Sequence, residues 1–221
     1  MRNSVLTGAI CAFFCAGAAH AASVTFDPTA DGDVQVFGGD DVDSIDDVLS
    51  VTQSGGLARN AIFEFDLSSI ADDATIDAVT FSFTITRFVS NTGGNPAAVE
   101  LFAYSGDGVV DIDDFGASAT QVVDSTAAGG GSAGDTFDFS FGTVAPVQDA
   151  LAGDELTVRF ETNSFASIAL AALENTSFDA ATLTVDYTPA PGGGPAPVPL
   201  PAGLPMLLAG LGAMAWVRRK A

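Results

Sequence analysis

Carboxylates are the side chains of this chain best equipped for chemistry. Seven of them crowd into 17 residues: Asp31, Asp33, Asp40, Asp41, Asp43, Asp46 and Asp47. An oxygen-rich, Gly-containing loop of this kind suits calcium, which accepts irregular sets of carboxylates and carbonyls, and Asp40, Asp41 and Asp43 are the candidate ligands. The competing reading is a solvated acidic surface loop.

A second oxygen-rich stretch runs Tyr104-Ser105-Gly106-Asp107-Gly108-Val109-Val110-Asp111-Ile112-Asp113-Asp114. It resembles the latter part of an EF-hand or dockerin loop. With Asp107-Gly108 at loop positions five and six, Asp111 falls at nine and Asp114 at twelve, which would make Asp107, Asp111 and Asp114 calcium ligands. Ala103 and Ser105 then occupy positions one and three, so an early acidic ligand is missing. A plain Gly-containing turn after a strand over Val99 to Tyr104 is the alternative.

Cations are scarce, and all but three lie near the ends of the chain. Between residues 22 and 187 only Arg59, Arg87 and Arg159 stand against all 28 acidic residues, leaving a charge of −25. Nucleic acid is excluded as a partner, because phosphate binding requires clustered Lys and Arg. A sugar uronate could still take a bidentate contact from one arginine, with Arg59 the candidate, although an isolated Arg among so many acids more often pairs internally. Cys11, Cys15 and His20 lie before residue 22, and Met206, Met214, Trp216 and Lys220 after residue 187. The middle of the chain therefore holds no thiol nucleophile, no His-based triad, no zinc ligand of the Cys or His type and no disulfide. Carboxylate catalysis of the glycosidase kind survives this pruning, but among 28 acids a suitably spaced pair arises by chance.

The end segments read as addresses. Arg2, an apolar run from Val5 to Ala18 and the small-residue triplet Ala19-His20-Ala21 form a secretory signal with cleavage expected before Ala22, so the export translocon is an expected partner. At the other end, a Pro- and Gly-rich linker over 188–197 leads to Val198-Pro199-Leu200-Pro201-Ala202, an apolar segment over 203–217 and the basic stop Arg218-Arg219-Lys220. Fifteen apolar residues make a marginal transmembrane helix, with the basic end retained on the cytoplasmic side. These residues resemble the VPLPA-CTERM variant of the PEP-CTERM sorting signals. The resemblance implies an exosortase partner, cleavage near the Val198 to Ala202 motif and association with exported polysaccharide. A simple C-terminal anchor is the alternative.

The 166 residues between these signals can build one respectable core. Alternation of period two places Val79, Phe81, Phe83 and Ile85 opposite Thr80, Ser82, Thr84 and Thr86. It likewise sets Ala61, Phe63, Phe65 and Leu67 against Ile62, Glu64 and Asp66, and Phe137, Phe139 and Phe141 against Asp138 and Ser140. Leu156, Val158 and Phe160 oppose Thr157, Arg159 and Glu161, while Leu183, Val185 and Tyr187 oppose Thr182, Thr184 and Asp186. Shorter strands are expected at Val24 to Phe26, Val34 to Phe37, Val48 to Thr52, Val99 to Tyr104 and Phe165 to Leu170, and a helical turn or two around Pro146 to Leu151. About ten strands with Gly, Asn and Asp turns predict an all-β fold, an antiparallel jelly-roll-like sandwich.

Arg59-Asn60-Ala61-Ile62-Phe63-Glu64-Phe65-Asp66-Leu67-Ser68-Ser69-Ile70, followed by Ala74-Thr75-Ile76 and closed by Ala181 to Tyr187, is similar to DNRLRE-type domains. These are jelly-roll sandwiches of exported bacterial proteins akin to some carbohydrate-binding modules. An Arg-Glu signature usual in that family is absent where this chain has Ser164 to Ala169, so no ligand site carries over. The expectation is an exported, non-catalytic surface or extracellular-matrix protein that binds acidic polysaccharide, with calcium as its one candidate cofactor. A carboxylate-dependent polysaccharide-degrading enzyme and a purely structural surface protein are the rivals.

Overall fold

A computed structural model describes residues 21–36, 39–91, 98–125, 131–162 and 166–190. The expected secretion signal, the sorting motif, the 203–217 apolar segment and the basic stop lie outside the described residues, as do all but the first few residues of the linker. Twelve strands account for the architecture: β1 (Ala22–Phe26), β2 (Ala30–Gln35), β3 (Asp41–Asp43), β4 (Val48–Ser54), β5 (Leu57–Asp66), β6 (Thr75–Asn91), β7 (Val99–Ser105), β8 (Thr120–Ser125), β9 (Thr136–Ser140), β10 (Glu155–Glu161), β11 (Ala166–Ala171) and β12 (Thr182–Thr188). Every pairing among them is antiparallel. The all-β sandwich expected from the alternation is what the described residues form, with 55% of them in strands.

The 17-residue strand β6 joins the two layers. Its first half lies between β12 and β9, with β1 beyond β12; its second half pairs with β11 after register shifts and so enters the layer that holds β4, β5, β10, β7 and β8. Such bulges let one strand bend from sheet to sheet. The alternating Phe residues meet between the layers. Phe81 of β6 lies edge-on to Phe63 of β5, 5.2 Å between centroids, and Phe83 lies edge-on to Phe160 of β10 at 5.0 Å. Both arrangements suit the ring quadrupoles. Phe63, Phe65, Phe81, Phe83 and Phe160 are all fully buried.

One short α-helix, Ala145–Ala150, begins with Pro146 in its first turn, where a missing N–H costs nothing. Its Gln148 accepts from the Ile76 amide and donates to the Ala74 carbonyl, both at 2.9 Å, and so satisfies the backbone at the start of β6. Alternation missed two features. Strands β3 and β8 were too short or too polar to register, and a 3₁₀ turn covers Ile112–Gly116. More consequentially, the polar side of β5 and β10 is not solvated. Ile62, Glu64, Thr157 and Arg159 are as buried as the Phe positions, because the loop from Gly106 through the 3₁₀ turn folds back over that face.

Candidate functional site

Two regions gather the polar groups. The first is the outer face of the β1-β12-β6-β9 layer. The inward alternation of Val79, Phe81, Phe83, Leu183 and Val185 forces hydroxyls outward, and the strand register aligns them in rows. Thr25, Thr184, Thr80 and Ser140 form one row across four strands, and Thr182, Ser82 and Asp138 form the next. Cross-strand bonds fix several of them: Thr25 Oγ1 to Thr184 Oγ1 at 2.9 Å, Ser82 Oγ donating to Asp138 Oδ1 at 2.6 Å, and Thr84 Oγ1 to Thr136 Oγ1 at 3.3 Å. At the Thr84 end the face opens into a polar recess of about 280 Å³ lined by Thr84, Thr136, Asn175, Thr176, Ser177 and Phe178 among others. Asn175 shapes its wall by accepting the Ser177 and Phe178 amides at 2.9 and 2.8 Å.

The second region is the covered polar layer on the opposite side of the molecule's core, built on β2, β5, β10 and β7. Glu64, with no exposed surface, accepts the Thr157 hydroxyl on Oε1 at 2.7 Å. Burial pushes its carboxyl up to about 7; the Thr157 bond and the nearby Gly108 backbone oppose the rise, and the Asp114 and Asp107 charges add to it. Gly106 is required beside it, since a β-carbon there would lie 2.4 Å from Glu64 Oε2 and 2.5 Å from Thr157 Oγ1. Tyr104 donates to Asp114 Oδ1 at 2.8 Å, and burial together with this bond drives the phenol far above its usual range. Arg159 is held from several sides: Nε meets Glu161 at 2.5 Å, Nη1 donates to the Asp114 and Ala117 carbonyls at 2.9 and 3.0 Å, and the guanidinium lies 5.3 Å from the Phe102 ring centre.

Asp111 caps the 3₁₀ turn by accepting the Asp113 amide at 2.8 Å, and Asp114 returns the bond by accepting the Asp111 amide at 2.8 Å. Burial raises the Asp114 carboxyl. Asp107 is exposed, and its Oδ1 accepts the Val109 amide at 3.0 Å. Ala103, at the first position of the EF-hand alignment, is a buried core residue of β7. Asp40 is exposed; Asp41 stands 3.6 Å from Arg59; Asp43 pairs in β3 and raises the carboxyl of Asp46 by its charge. Among the described residues, no three His, Cys, Asp or Glu side chains form a set that could hold a metal ion.

Arg59 is committed to its own fold. Its guanidinium lies 3.0 Å from Asp33, an ion pair by distance without hydrogen-bond alignment at Asp33 Oδ1, and donates to Gln35 Oε1 at 2.9 and 3.3 Å. Asp33 also accepts the Ser50 amide at 2.7 Å, and Asp31 accepts the Leu173 amide at 2.9 Å, so two buried carboxylates fasten β2 to β4 and to the chain leaving β11. Burial lifts both to about 6 against these bonds. Reading the sequence overlooked Glu64, Thr157 and Tyr104 as a connected group. The signal was present in the 14 residues between β7 and β8, enough chain to cover a sheet face. No protein-family model matches the chain, and no curated protein matches it.

Proposed function

We propose that this chain is an exported, exosortase-sorted, non-catalytic protein of the cell surface or extracellular matrix that contacts hydroxyl-rich polysaccharide through the outer face of the β1-β12-β6-β9 layer. The observation that carries the reading is the row Thr25, Thr184, Thr80 and Ser140, with the polar recess beside Phe178 further along the same face at Thr84 and Thr136. Rows of hydroxyls with an aromatic on the same face offer a sugar chain the two things it recognises, paired hydrogen bonds and a ring to lie against. The end segments support export and sorting through their sequence alone. The tight hold of Asp33 and Gln35 on Arg59 moves the contact away from uronate pairing and toward neutral hydroxyls.

The test is retention on immobilised exopolysaccharide from the producing cell, with product release followed in parallel. Retention should fall about fivefold or more in the double variant Thr80→Val and Thr184→Val, which keeps strand-forming shape while removing hydroxyls. Equal retention by the double variant and the parent would refute the face, and deletion of residues 198–221 should change the cellular fraction in which the protein is found.

One observation favours the enzyme reading enough to test. Asp31 and Glu174 line one groove of about 320 Å³, and the Asp31 carboxyl is raised to about 6 by burial with a contribution from Glu174. Reducing-sugar release abolished by Glu174→Gln would establish that reading in place of the first.

A further inference from the structure

Large apolar side chains left on the surface of this domain are few, and they are not scattered. Among the described residues they are Val42, Ile45, Val109 and Leu173. They come from three separate stretches of chain, yet each stretch borders the same groove of about 320 Å³. Ser44, Val109, Val110 and Leu173 line it, and Ile45 is the residue after Ser44, with Val42 two before it in β3. A lone exposed apolar residue is ordinary on a protein surface; the whole exposed set gathered at one groove marks a place where something docks.

The fold holds the walls of this groove in place. Asp31 accepts the Leu173 amide at 2.9 Å. The Asp47 carbonyl accepts the Ala172 amide at 3.3 Å and the Asn175 side-chain amide at 2.7 Å, which ties the Ile45 stretch to the Leu173 stretch. Asp107 accepts the Val109 amide at 3.0 Å across Gly108, whose φ of +78 favours glycine. Gly32 of β2 lets two of the stretches close in, since a β-carbon there would lie 2.8 Å from the Asp43 carbonyl oxygen and 3.0 Å from Val110 Cγ1. A groove built this way is preformed, so a ligand loses little to ordering it.

The same three stretches carry Asp43, Asp46, Asp47, Asp107 and Glu174 and no Lys or Arg. These charges act on one another: Asp43 raises the Asp46 carboxyl, and Glu174 adds to the rise that burial gives Asp31. Arg59 is near enough to act on Asp46 but is engaged by Asp33 and Gln35. An anionic membrane would be repelled from such a rim, and a second copy would bring like charges face to face. We propose that the groove docks a peptide segment of a partner protein, one that presents aliphatic side chains flanked by Arg or Lys. The aliphatic side chains would meet Ile45, Val109 and Leu173, and the cations would meet the acidic rim. This inference is independent of the polysaccharide face, and it takes the groove of Asp31 and Glu174 as a docking surface in place of a catalytic one.

The test uses the full chain and a fluorescent pentapeptide that alternates leucine with arginine. Anisotropy should give a dissociation constant on the order of 10–100 μM for so small a ligand. Glutamate in place of arginine, or serine in place of leucine, should abolish binding. Ile45→Ser and Val109→Ser should each weaken it about fivefold or more, and because these side chains are 83% and 56% exposed the unfolding midpoint should stay that of the parent. Glu174→Gln should weaken binding about twofold and reduce its salt dependence, whereas Asp186→Asn on the outer face of the other layer should change nothing. Retention on polysaccharide should be the same for Val109→Ser and the parent. The proposal is overturned if the parent does not bind the peptide, or if Ile45→Ser and Val109→Ser combined leave binding unchanged, which would reduce it to attraction between opposite charges. Tighter peptide binding after deletion of residues 198–221 would make the chain's own tail the occupant, and a dimer dissolved by Val109→Ser would make it a second copy; either result replaces the proposed partner.

Discussion

Asp33 shows how a single carboxylate can serve the fold in a domain crowded with them. One oxygen takes the Ser50 amide, the other faces Arg59, and the side chain is 4% exposed. Asp33→Ala would orphan a backbone donor and free a guanidinium that other groups only partly hold, so a loss of about 2–3 kcal/mol is expected in denaturant titration. Asp41→Ala should cost less than about 1 kcal/mol, because that partner is 62% exposed and 3.6 Å away. Equal losses for the two would show that Arg59, rather than the Ser50 amide, sets the value of Asp33. Both aspartates look alike in the sequence, since an acidic residue in an acidic run carries no mark of which one a neighbouring strand will cover.

At the scale of elements, the loop from Gly106 to Ala119 determines how β5 and β10 are used. Its 3₁₀ turn is held by the reciprocal bonds of Asp111 and Asp114 and by Tyr104, and it gives Arg159 two carbonyls. Asp111→Ala should therefore loosen the cover by about 1 kcal/mol, visible as faster amide exchange at Asp113 and Asp114 before any global change. Gly106→Ala should be far worse, since a methyl group would collide with Glu64 and Thr157 side chains that are themselves fully buried. The core strands behave more simply. Phe83 packs against Phe81, Phe137, Phe139 and Phe160, so Phe83→Ala should cost about 3–5 kcal/mol in the same titration. That value was foreseeable from alternation alone, whereas the cost at Gly106 was not.

For the whole molecule, burial of carboxylates couples stability to acidity. Asp31 and Asp33 move from 3.8 to about 6, and Glu64 from 4.5 to about 7. Between those values the folded chain holds more protons than the unfolded chain, so stability falls as pH rises. The contribution is complete below about pH 4 and is lost as pH passes through 6 to 7; the mutual repulsion of the many surface acids acts in the same direction. The midpoint of unfolding in guanidinium chloride should be higher at pH 5 than at pH 7.5, and Glu64→Gln should flatten the part of that slope above pH 6. A midpoint that rises with pH over this window would contradict the burial of all three groups.

Composition and period two determined a great deal without any coordinates. The alternation of Val79, Phe81, Phe83 and Ile85, and its counterparts in four other strands, dictated an antiparallel sandwich, because a strand with one apolar face must bury that face against another. The lack of Cys and His between residues 22 and 187 limited the chemistry to oxygen ligands and carboxylates, and the end motifs carry the export reading entirely. Tertiary structure alone decided which polar side chains meet. Alternation assigns a residue to a face but cannot say whether that face is left to water or roofed by a later loop. Glu64, Thr157 and Arg159 were accordingly placed in solvent by the pattern and in the interior by the Gly106 to Ala119 segment. Contacts across 93 residues of chain, such as Thr157 to Glu64, depend on strand order and register, which no local spacing encodes.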